Sequence, residues 1–308
     1  MQALRTLLVA TDLSPHADLA LARAAALAHQ HGANLVALYV VNHVLGGDHP
    51  PDNILRLMFG AGGEVEHEVK LRASQALQAK LDALDLPTLE HPRTEALLGT
   101  PFLEIIRQAR AQHADLIVLG AHGRRYLKHW LLGTTAERVV RKGNLPALVV
   151  KRPTRSSYRH VLVPTDFSDY AHQALIAARQ LAPDARFTLL NVYDFDYDPA
   201  LNTGDINSEL LLRLQQEYEQ EARAKLASLA ETTGLDPDNT SIQVQYGYPG
   251  KVVAAVASRL RVDLVAIGTR GRSGIEYVLL GSVAEHVLRV VRCDVLAVPP
   301  RVTHFQLP

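Results

Sequence analysis

The chain has 308 residues, of which 47% are hydrophobic and 21% are charged, a balance typical of globular proteins rather than disordered ones. This length predicts two domains, each large enough to form its own core. Lysine and arginine together number 32, as do aspartate and glutamate, so no net charge attracts nucleic acid or an anionic membrane nonspecifically.

The single cysteine, Cys293, excludes an internal disulfide and a cysteine-rich zinc site. A strand-like segment begins close to the N-terminus, without the features of a secretion signal. No apolar run approaches the about 20 residues that span a bilayer. We therefore expect a cytoplasmic protein with no membrane contact.

Short apolar runs alternate with longer helical patterns along the first half of the chain. The runs predict strands at about 4–10, 34–41, 88–94, 115–120 and 146–150. The helical patterns predict helices near 15–31, 64–84, 101–113 and 134–143. Ser14 before Pro15 and Thr100 before Pro101 are typical of helix starts, and Gly32 is typical of a helix end.

The second half of the chain repeats the first. Residues 7–14 (LLVATDLS) return as 161–168 (VLVPTDFS), and residues 115–120 (DLIVLG) return as 263–268 (DLVAIG). Residues 151–158 between the copies are polar and contain a proline, which is typical of a linker. Because the apolar runs suggest strands buried on both faces, the sequence predicts two tandem α/β domains, 1–152 and 159–300. Each would contain a five-stranded, doubly wound parallel sheet flanked by helices.

A glycine-spaced loop follows the fourth predicted strand of each copy. Both loops have the spacing Gly-x2-Gly, then nine residues, then glycine and a hydroxyl residue. The residues at these positions are Gly120, Gly123, Gly133 and Thr134 in the first copy, and Gly268, Gly271, Gly281 and Ser282 in the second. Glycine lets the backbone approach an anion closely, and the hydroxyl residue could cap the next helix, whose N-terminus favours phosphate. The alternative for one copy is a plain glycine-rich turn, but two equal copies favour phosphate binding.

Charged side chains accompany each loop. Those that add positive charge are His122, if protonated, and Arg124 in the first copy, and Arg270 and Arg272 in the second. Asp12 and Asp166 follow the first strand, beside the fourth, where a carboxylate can accept hydrogen bonds from ribose hydroxyls. The alternative is that each aspartate caps the first helix, as Ser14 and Ser168 could also do. We favour ribose binding.

These motifs resemble the universal stress protein family in its tandem form. The glycine loop and the Pro-Thr-Asp-Phe-Ser type motif carry the likeness, which covers nearly the whole chain. The resemblance implies a Rossmann-like fold of the adenine nucleotide alpha hydrolase type that binds ATP, with Mg²⁺ as an optional companion. It implies ribose contacts by the two aspartates, phosphate contacts by the glycine loops, and adenine contacts by backbone near the end of strand two. The remaining residues that it implies are Val40 and Val192 for adenine, and Thr135 and Val283 as further backbone donors.

The first copy departs from the family pattern more than the second. Ala10 stands where the motif usually has proline, and bulky side chains within 125–130 stand where the loop usually has small residues. We therefore expect the second copy to be the better site. The resemblance also implies that the domains pair through their last strands, 147–150 and 295–298, and a homodimer stays open.

The leading hypothesis is a stress-linked, ATP-binding regulatory protein rather than an enzyme. No Gly-x4-Gly-Lys-(Ser/Thr) loop occurs in the sequence, so the lysine and hydroxyl of a P-loop ATPase are absent, and hydrolysis is expected to be slow or absent. The alternative is a nucleotide-independent scaffold that binds another ligand or a partner protein through the same cleft. A metal site at His43, His49 and His67 is disfavoured because their spacing fits no common ligand pattern.

Overall fold

The computed structural model describes residues 4–42, 63–84, 92–122, 132–153, 157–194, 208–270 and 280–300. The chain divides into two compact units, one running up to Ser157 and the other formed by Tyr158–Pro300. No helix in these ranges is both long and apolar enough to cross a membrane.

The first unit alternates strands and helices. Its elements are β1 (Thr6–Thr11), α1 (Pro15–His31), β2 (Asn34–Val41), α2 (Gly63–Ala83), β3 (Arg93–Leu98), α3 (Pro101–Ala111), β4 (Leu116–Gly120), α4 (Thr134–Lys142) and β5 (Ala147–Val150). The strands pair in parallel in the order β3-β2-β1-β4-β5. The chain therefore moves outward from β1 to β3 and then returns to the other side of β1, which is a doubly wound sheet.

The second unit repeats this arrangement. Its elements are β6 (His160–Pro164), α5 (Asp169–Leu181), β7 (Arg186–Tyr193), α6 (Ser208–Thr232), β8 (Thr240–Tyr246), α7 (Pro249–Arg259), β9 (Leu264–Gly268), α8 (Ser282–Val290) and β10 (Asp294–Val298). The parallel order is β8-β7-β6-β9-β10. The predicted fold class is confirmed in both copies.

The central strands form the core of each unit. Leu7, Leu8 and Val9 are all fully buried, although successive side chains of a strand point to opposite faces of the sheet. The central strands of the second unit behave in the same way, since Val161, Leu162 and Val163 are also fully buried. Uninterrupted apolar runs thus correspond to strands that are covered on both faces.

Local sequence signals fix the ends of α1. The Ser14 hydroxyl accepts the N–H of Ala17 at 3.3 Å, so Ser14 is the N-cap, and Pro15 occupies the first helical position. Gly32 closes the helix in the left-handed conformation, with φ of 61°, and its N–H bonds back to Ala28 and His29. Both predicted signals are confirmed.

The third strand lies later in the chain than predicted. The sequence pattern places it at about 88–94, whereas β3 spans Arg93–Leu98 and pairs with Val36–Val41 of β2. Pro92 has no N–H to donate to the ladder, and pairing begins directly after it. β3 is also an edge strand without a fully buried residue, so it lacks the apolar run that marks the central strands.

Candidate functional site

The candidate site of each unit lies where the strand order reverses. In the first unit this is the carboxyl end of β1 and β4, which pair through Leu7–Ala10 and Leu116–Leu119. On its other side β1 pairs with β2 as far as Thr11 and Tyr39. The turn after β1 and the loop after β4 therefore leave the sheet side by side, as ligand-binding loops of doubly wound sheets do.

The aspartate after β1 closes a tight turn. Asp12 Oδ1 accepts the N–H of Ser14 at 3.0 Å, and Thr11 Oγ1 accepts the N–H of Leu13 at 2.9 Å. Leu13 has φ of 62°, in the left-handed region that a branched side chain rarely adopts.

The second copy has the same turn. Asp166 Oδ1 accepts the N–H of Ser168 at 3.0 Å, Thr165 Oγ1 accepts the N–H of Phe167 at 3.0 Å, and Phe167 has φ of 63°. Ser168 caps α5 by accepting the N–H of Ala171. The aspartates therefore shape the turn before the helix, while the serines cap the helix. Each aspartate stays half-buried at the end of its strand.

The first loop glycine packs against the first helix of its unit. A Cβ atom at Gly268 would lie 3.0 Å from the backbone carbonyl carbon and oxygen of Tyr170, in the first turn of α5. At Gly120 the corresponding contact is 3.2 Å, to the carbonyl oxygen of His16 in α1. Close strand–helix packing thus favours glycine at both positions, a structural role in addition to the predicted phosphate contact.

Backbone hydrogen bonds join the two ends of each loop. The N–H of Gly133 donates to the carbonyl of Ala121 at 2.8 Å, and the N–H of Gly281 donates to the carbonyl of Thr269 at 2.9 Å. The loop base is therefore the same in both copies. The intervening residues 123–131 and 271–279 lie outside the described residues, and so do four predicted site residues: Gly123, Arg124, Gly271 and Arg272.

Glycines, and not the hydroxyl residues, occupy the N-cap positions of α4 and α8. Gly133 and Gly281 have the extended backbone of an N-cap, so Thr134 and Ser282 are the first helical residues. The expectation that these hydroxyls cap the helices is wrong, because the cap falls one residue earlier. Neither Gly133 nor Gly281 has a side chain that could cap its helix. The N–H groups of the first turn, including those of Thr135 and Val283, are among those that an α-helix leaves without an intrahelical partner.

Comparison with known proteins assigns the chain to a family. The model of the Universal stress protein family matches residues 3–151 and again residues 157–299. The chain belongs to the universal stress protein family. It carries two universal stress protein domains in tandem, which confirms the prediction from the glycine loops.

Relatives of one and of two domains both match these universal stress protein domains. A universal stress protein of Methanocaldococcus jannaschii is 32% identical over 142 residues, covering 46% of this chain and 82% of that protein. Universal stress protein E of Photorhabdus laumondii is 21% identical over 320 residues, covering 96% of this chain and 95% of that protein. The crystal structure of a universal stress protein from Archaeoglobus fulgidus aligns with a TM-score of 0.60 at 22% identity, over 96% of this chain and 98% of that one. The last similarity supports the fold alone.

The remaining predicted residues lie at the same edge of each universal stress protein domain. Val40 is buried on β2, one residue past the partner of Thr11, and Val192 is half-buried at the corresponding place on β7. His122 and Arg270 follow β4 and β9 and are half-buried. The His122 ring stands edge-on to that of His16, with ring centroids 5.8 Å apart.

Only one of the three histidines at which a metal site is disfavoured by sequence lies in the described part of the chain. His43 and His49 lie outside the described residues, and His67 is exposed on α2. Among the described side chains, no three of the histidine, cysteine, aspartate and glutamate type gather into a metal-binding group.

Sequence reasoning missed a polar and aromatic cluster at the end of β7. Tyr193 packs against Tyr218 and Tyr246, with ring centroids 4.6 and 5.5 Å away, and its hydroxyl donates to Glu219 at 3.0 Å. Burial, together with that hydrogen bond, raises the pKa of Tyr193 to about 12, so its hydroxyl stays a donor. Asn191 is buried beside it. In the first copy, Tyr39 stands at the position of Asn191 and Val41 at that of Tyr193, so the repeat gave no signal for the cluster.

Proposed function

We propose that this chain binds adenine nucleotide, with ATP as the ligand, at the carboxyl ends of β6 and β9 and less tightly at those of β1 and β4. Its role would be regulatory within a stress response, with slow or absent hydrolysis. The domain limits 1–152 and 159–300, the pairing of the domains through their last strands, and the cytoplasmic location stay predictions beside this proposal.

The observation that carries the proposal is the turn after the first strand of each copy, in which one residue adopts the left-handed backbone conformation. Leu13 and Phe167 adopt φ near 60°, which costs such residues on the order of 1–3 kcal/mol each and is typical of functional sites. In each copy the strained residue directly follows the aspartate, and the aspartate accepts an N–H from within the turn. This geometry holds a carboxylate at the strand end, where it could accept ribose hydroxyls.

The neighbouring helix start supplies a complementary feature for phosphate. α8 begins after Gly281 without a side-chain cap, and the base of the loop is held by the bond between Gly281 and Thr269. A helix N-terminus presents N–H donors and a partial positive charge, which together favour anions. Arg270, half-buried at the end of β9, adds a cation on the same side of the sheet.

Titration calorimetry of the full-length chain with ATP tests the proposal. The variant Asp166→Asn removes the charge but keeps an oxygen that can accept the N–H of Ser168, so the turn should persist. Losing charge-assisted hydrogen bonds should weaken ATP binding roughly tenfold or more. Asp12→Asn should leave the Kd of the tighter ATP site unchanged, because that site lies in the second copy.

The control is Asp169→Asn, which removes an equal charge from an exposed residue in the first turn of α5. It should bind ATP as the unmodified chain does, apart from a small electrostatic change. An unmodified chain that binds no ATP would contradict the proposal and would favour the nucleotide-independent scaffold.

A further inference from the structure

Asn191 is a buried amide at the carboxyl end of β7, beside the turn that carries Asp166. Its side chain is 2% exposed. Its Nδ2 donates to the backbone carbonyl of Thr165 at 2.9 Å, and its Oδ1 accepts the hydroxyl of Tyr218 at 3.2 Å. Because a buried amide is stable only when its polar atoms are paired, the tyrosine helps to hold the amide in this orientation.

The bond from Asn191 completes the restraint of Thr165. The N–H of Thr165 donates to the carbonyl of Leu190 at 2.8 Å, and its Oγ1 accepts the N–H of Phe167 at 3.0 Å. The carbonyl held by Asn191 lies in the peptide plane that joins Thr165 to Asp166, and peptide groups are planar. The orientation of that plane therefore sets the direction in which Asp166 leaves β6.

Tyr218 connects this restraint to α6. Its ring packs on that of Tyr193 at a centroid distance of 4.6 Å, and the next residue, Glu219, accepts the Tyr193 hydroxyl. Two successive residues of α6 thus hold the carboxyl end of β7. A shift of α6 would act on Asn191 through the Tyr218 hydroxyl.

Among the described residues, the first copy has no asparagine and tyrosine at the positions of Asn191 and Tyr218. Tyr39 is the register partner of Thr11 and stands at the position of Asn191 in the second copy. A tyrosine side chain has no amide N–H that could donate to the Thr11 carbonyl as Asn191 donates to that of Thr165. Ala73 and Leu77 are buried on α2, as Ala222 and Leu226 are on α6. When these two pairs are aligned, Val69 stands at the position of Tyr218. The two copies therefore differ at Asn191, which bonds the Thr165 carbonyl, and at Tyr218, which bonds Asn191.

We propose that Asn191 and Tyr218 are positioning residues that fix the Asp166 turn, so that α6 controls how well the second-copy site holds the ribose. The inference rests on the proposed nucleotide binding. It makes the second copy both the tighter site and the one whose affinity responds to a partner or modification acting on α6.

Two matched tyrosine variants test the inference in the full-length chain. Tyr218→Phe removes the hydroxyl that holds Asn191 and keeps the ring, whereas Tyr193→Phe removes a hydroxyl from the same cluster that bonds Glu219 instead. Tyr218→Phe should raise the Kd for ATP about fivefold, the effect of one hydrogen bond, and Tyr193→Phe should change it less than about twofold. In a chain that also carries Asp166→Asn, Tyr218→Phe should have no further effect.

Equal effects of the two tyrosine variants, or an effect of Tyr218→Phe that persists without the Asp166 carboxylate, would overturn the inference. Failure of the unmodified chain to bind ATP would instead overturn the proposed function. Amide hydrogen exchange without nucleotide then tests the positioning alone. Exchange at Phe167 and Ser168 should be faster in Tyr218→Phe than in Tyr193→Phe, and equal rates in the two variants would overturn the positioning role.

Discussion

His160 shows how one residue can couple the stability of the second domain to pH. It is buried at the start of β6, with Nε2 2.9 Å from the Thr188 hydroxyl and Nδ1 3.3 Å from the Arg186 guanidinium. Burial, and then the charge of Arg186, lowers the pKa of His160, although the nearby Asp263 acts in the opposite direction. The folded domain therefore favours the neutral imidazole.

The variant His160→Thr should remove this pH dependence. Below the unfolded pKa of about 6.5 the unfolded chain binds the proton more readily than the folded one. The free energy of unfolding should therefore fall as the pH drops below that value, and recover above it. Threonine is the residue at the corresponding position in the first copy, Thr6, at the start of β1.

Urea unfolding of the full chain between about pH 5 and pH 7.5 measures this effect. The two chains differ only at residue 160, so the difference between their pH profiles isolates the contribution of His160. Parallel pH profiles for the two chains would contradict the assignment.

At the scale of elements, the contact between a strand end and a helix start contributes to the stability of each domain. Gly268 ends β9 and packs on Tyr170 in the first turn of α5, where a Cβ atom would make contacts of 3.0 Å, tighter than most Cβ contacts. Gly120 makes the same contact with α1 in the first copy, with slightly more space. The first glycine of each loop thus has a packing role beside its proposed role in phosphate binding.

Gly268→Ala should lower the free energy of unfolding of the second domain by about 1–3 kcal/mol, as overpacking of a close contact does. The strain should exceed that of Gly120→Ala, because the added atom would meet backbone and Cβ atoms of Tyr170 at 3.0 Å rather than one carbonyl oxygen at 3.2 Å. Thermal unfolding by calorimetry, with the two domains fitted as separate transitions, measures the difference. A larger loss in Gly120→Ala would contradict this account.

Local signals allowed some elements to be predicted and left others out of reach. The ends of α1 follow from Ser14, Pro15 and Gly32, whose effects act within one turn of the helix. β3 was misplaced because an edge strand needs no continuous apolar run. The sequence pattern places the N-cap of α4 and of α8 one residue too late, at the hydroxyl residue. The glycine before each hydroxyl residue has the N-cap geometry instead.

Contacts between distant segments lie beyond what the sequence pattern reveals. The bond between Asn191 and Tyr218 joins β7 to α6, and neither residue has a counterpart of the same type in the first copy. Asp263 was read as part of a repeated strand, yet its carboxylate accepts the N–H groups of Arg159 and His160 at the start of β6. Only the fold brings these pairs together.

At the scale of the whole molecule, the tandem repeat supplies its own comparison. Both domains keep the aspartate turn and the closed loop base at the switch point of the sheet. They differ at Asn191 and Tyr39, and on the loops that follow β4 and β9. Because duplication copies structural constraints as well as sites, the proposed difference in ATP affinity between the two domains rests on these positions.

A crystal structure of the full chain grown with ATP tests the central claim most directly. The account predicts the triphosphate at the N-terminus of α8, within hydrogen-bond distance of the N–H groups of Ser282 and Val283. It also predicts the ribose hydroxyls on the Asp166 carboxylate. ATP bound elsewhere, or protein side chains that fill the space beyond the carboxyl ends of β6 and β9 in the presence of saturating ATP, would contradict it.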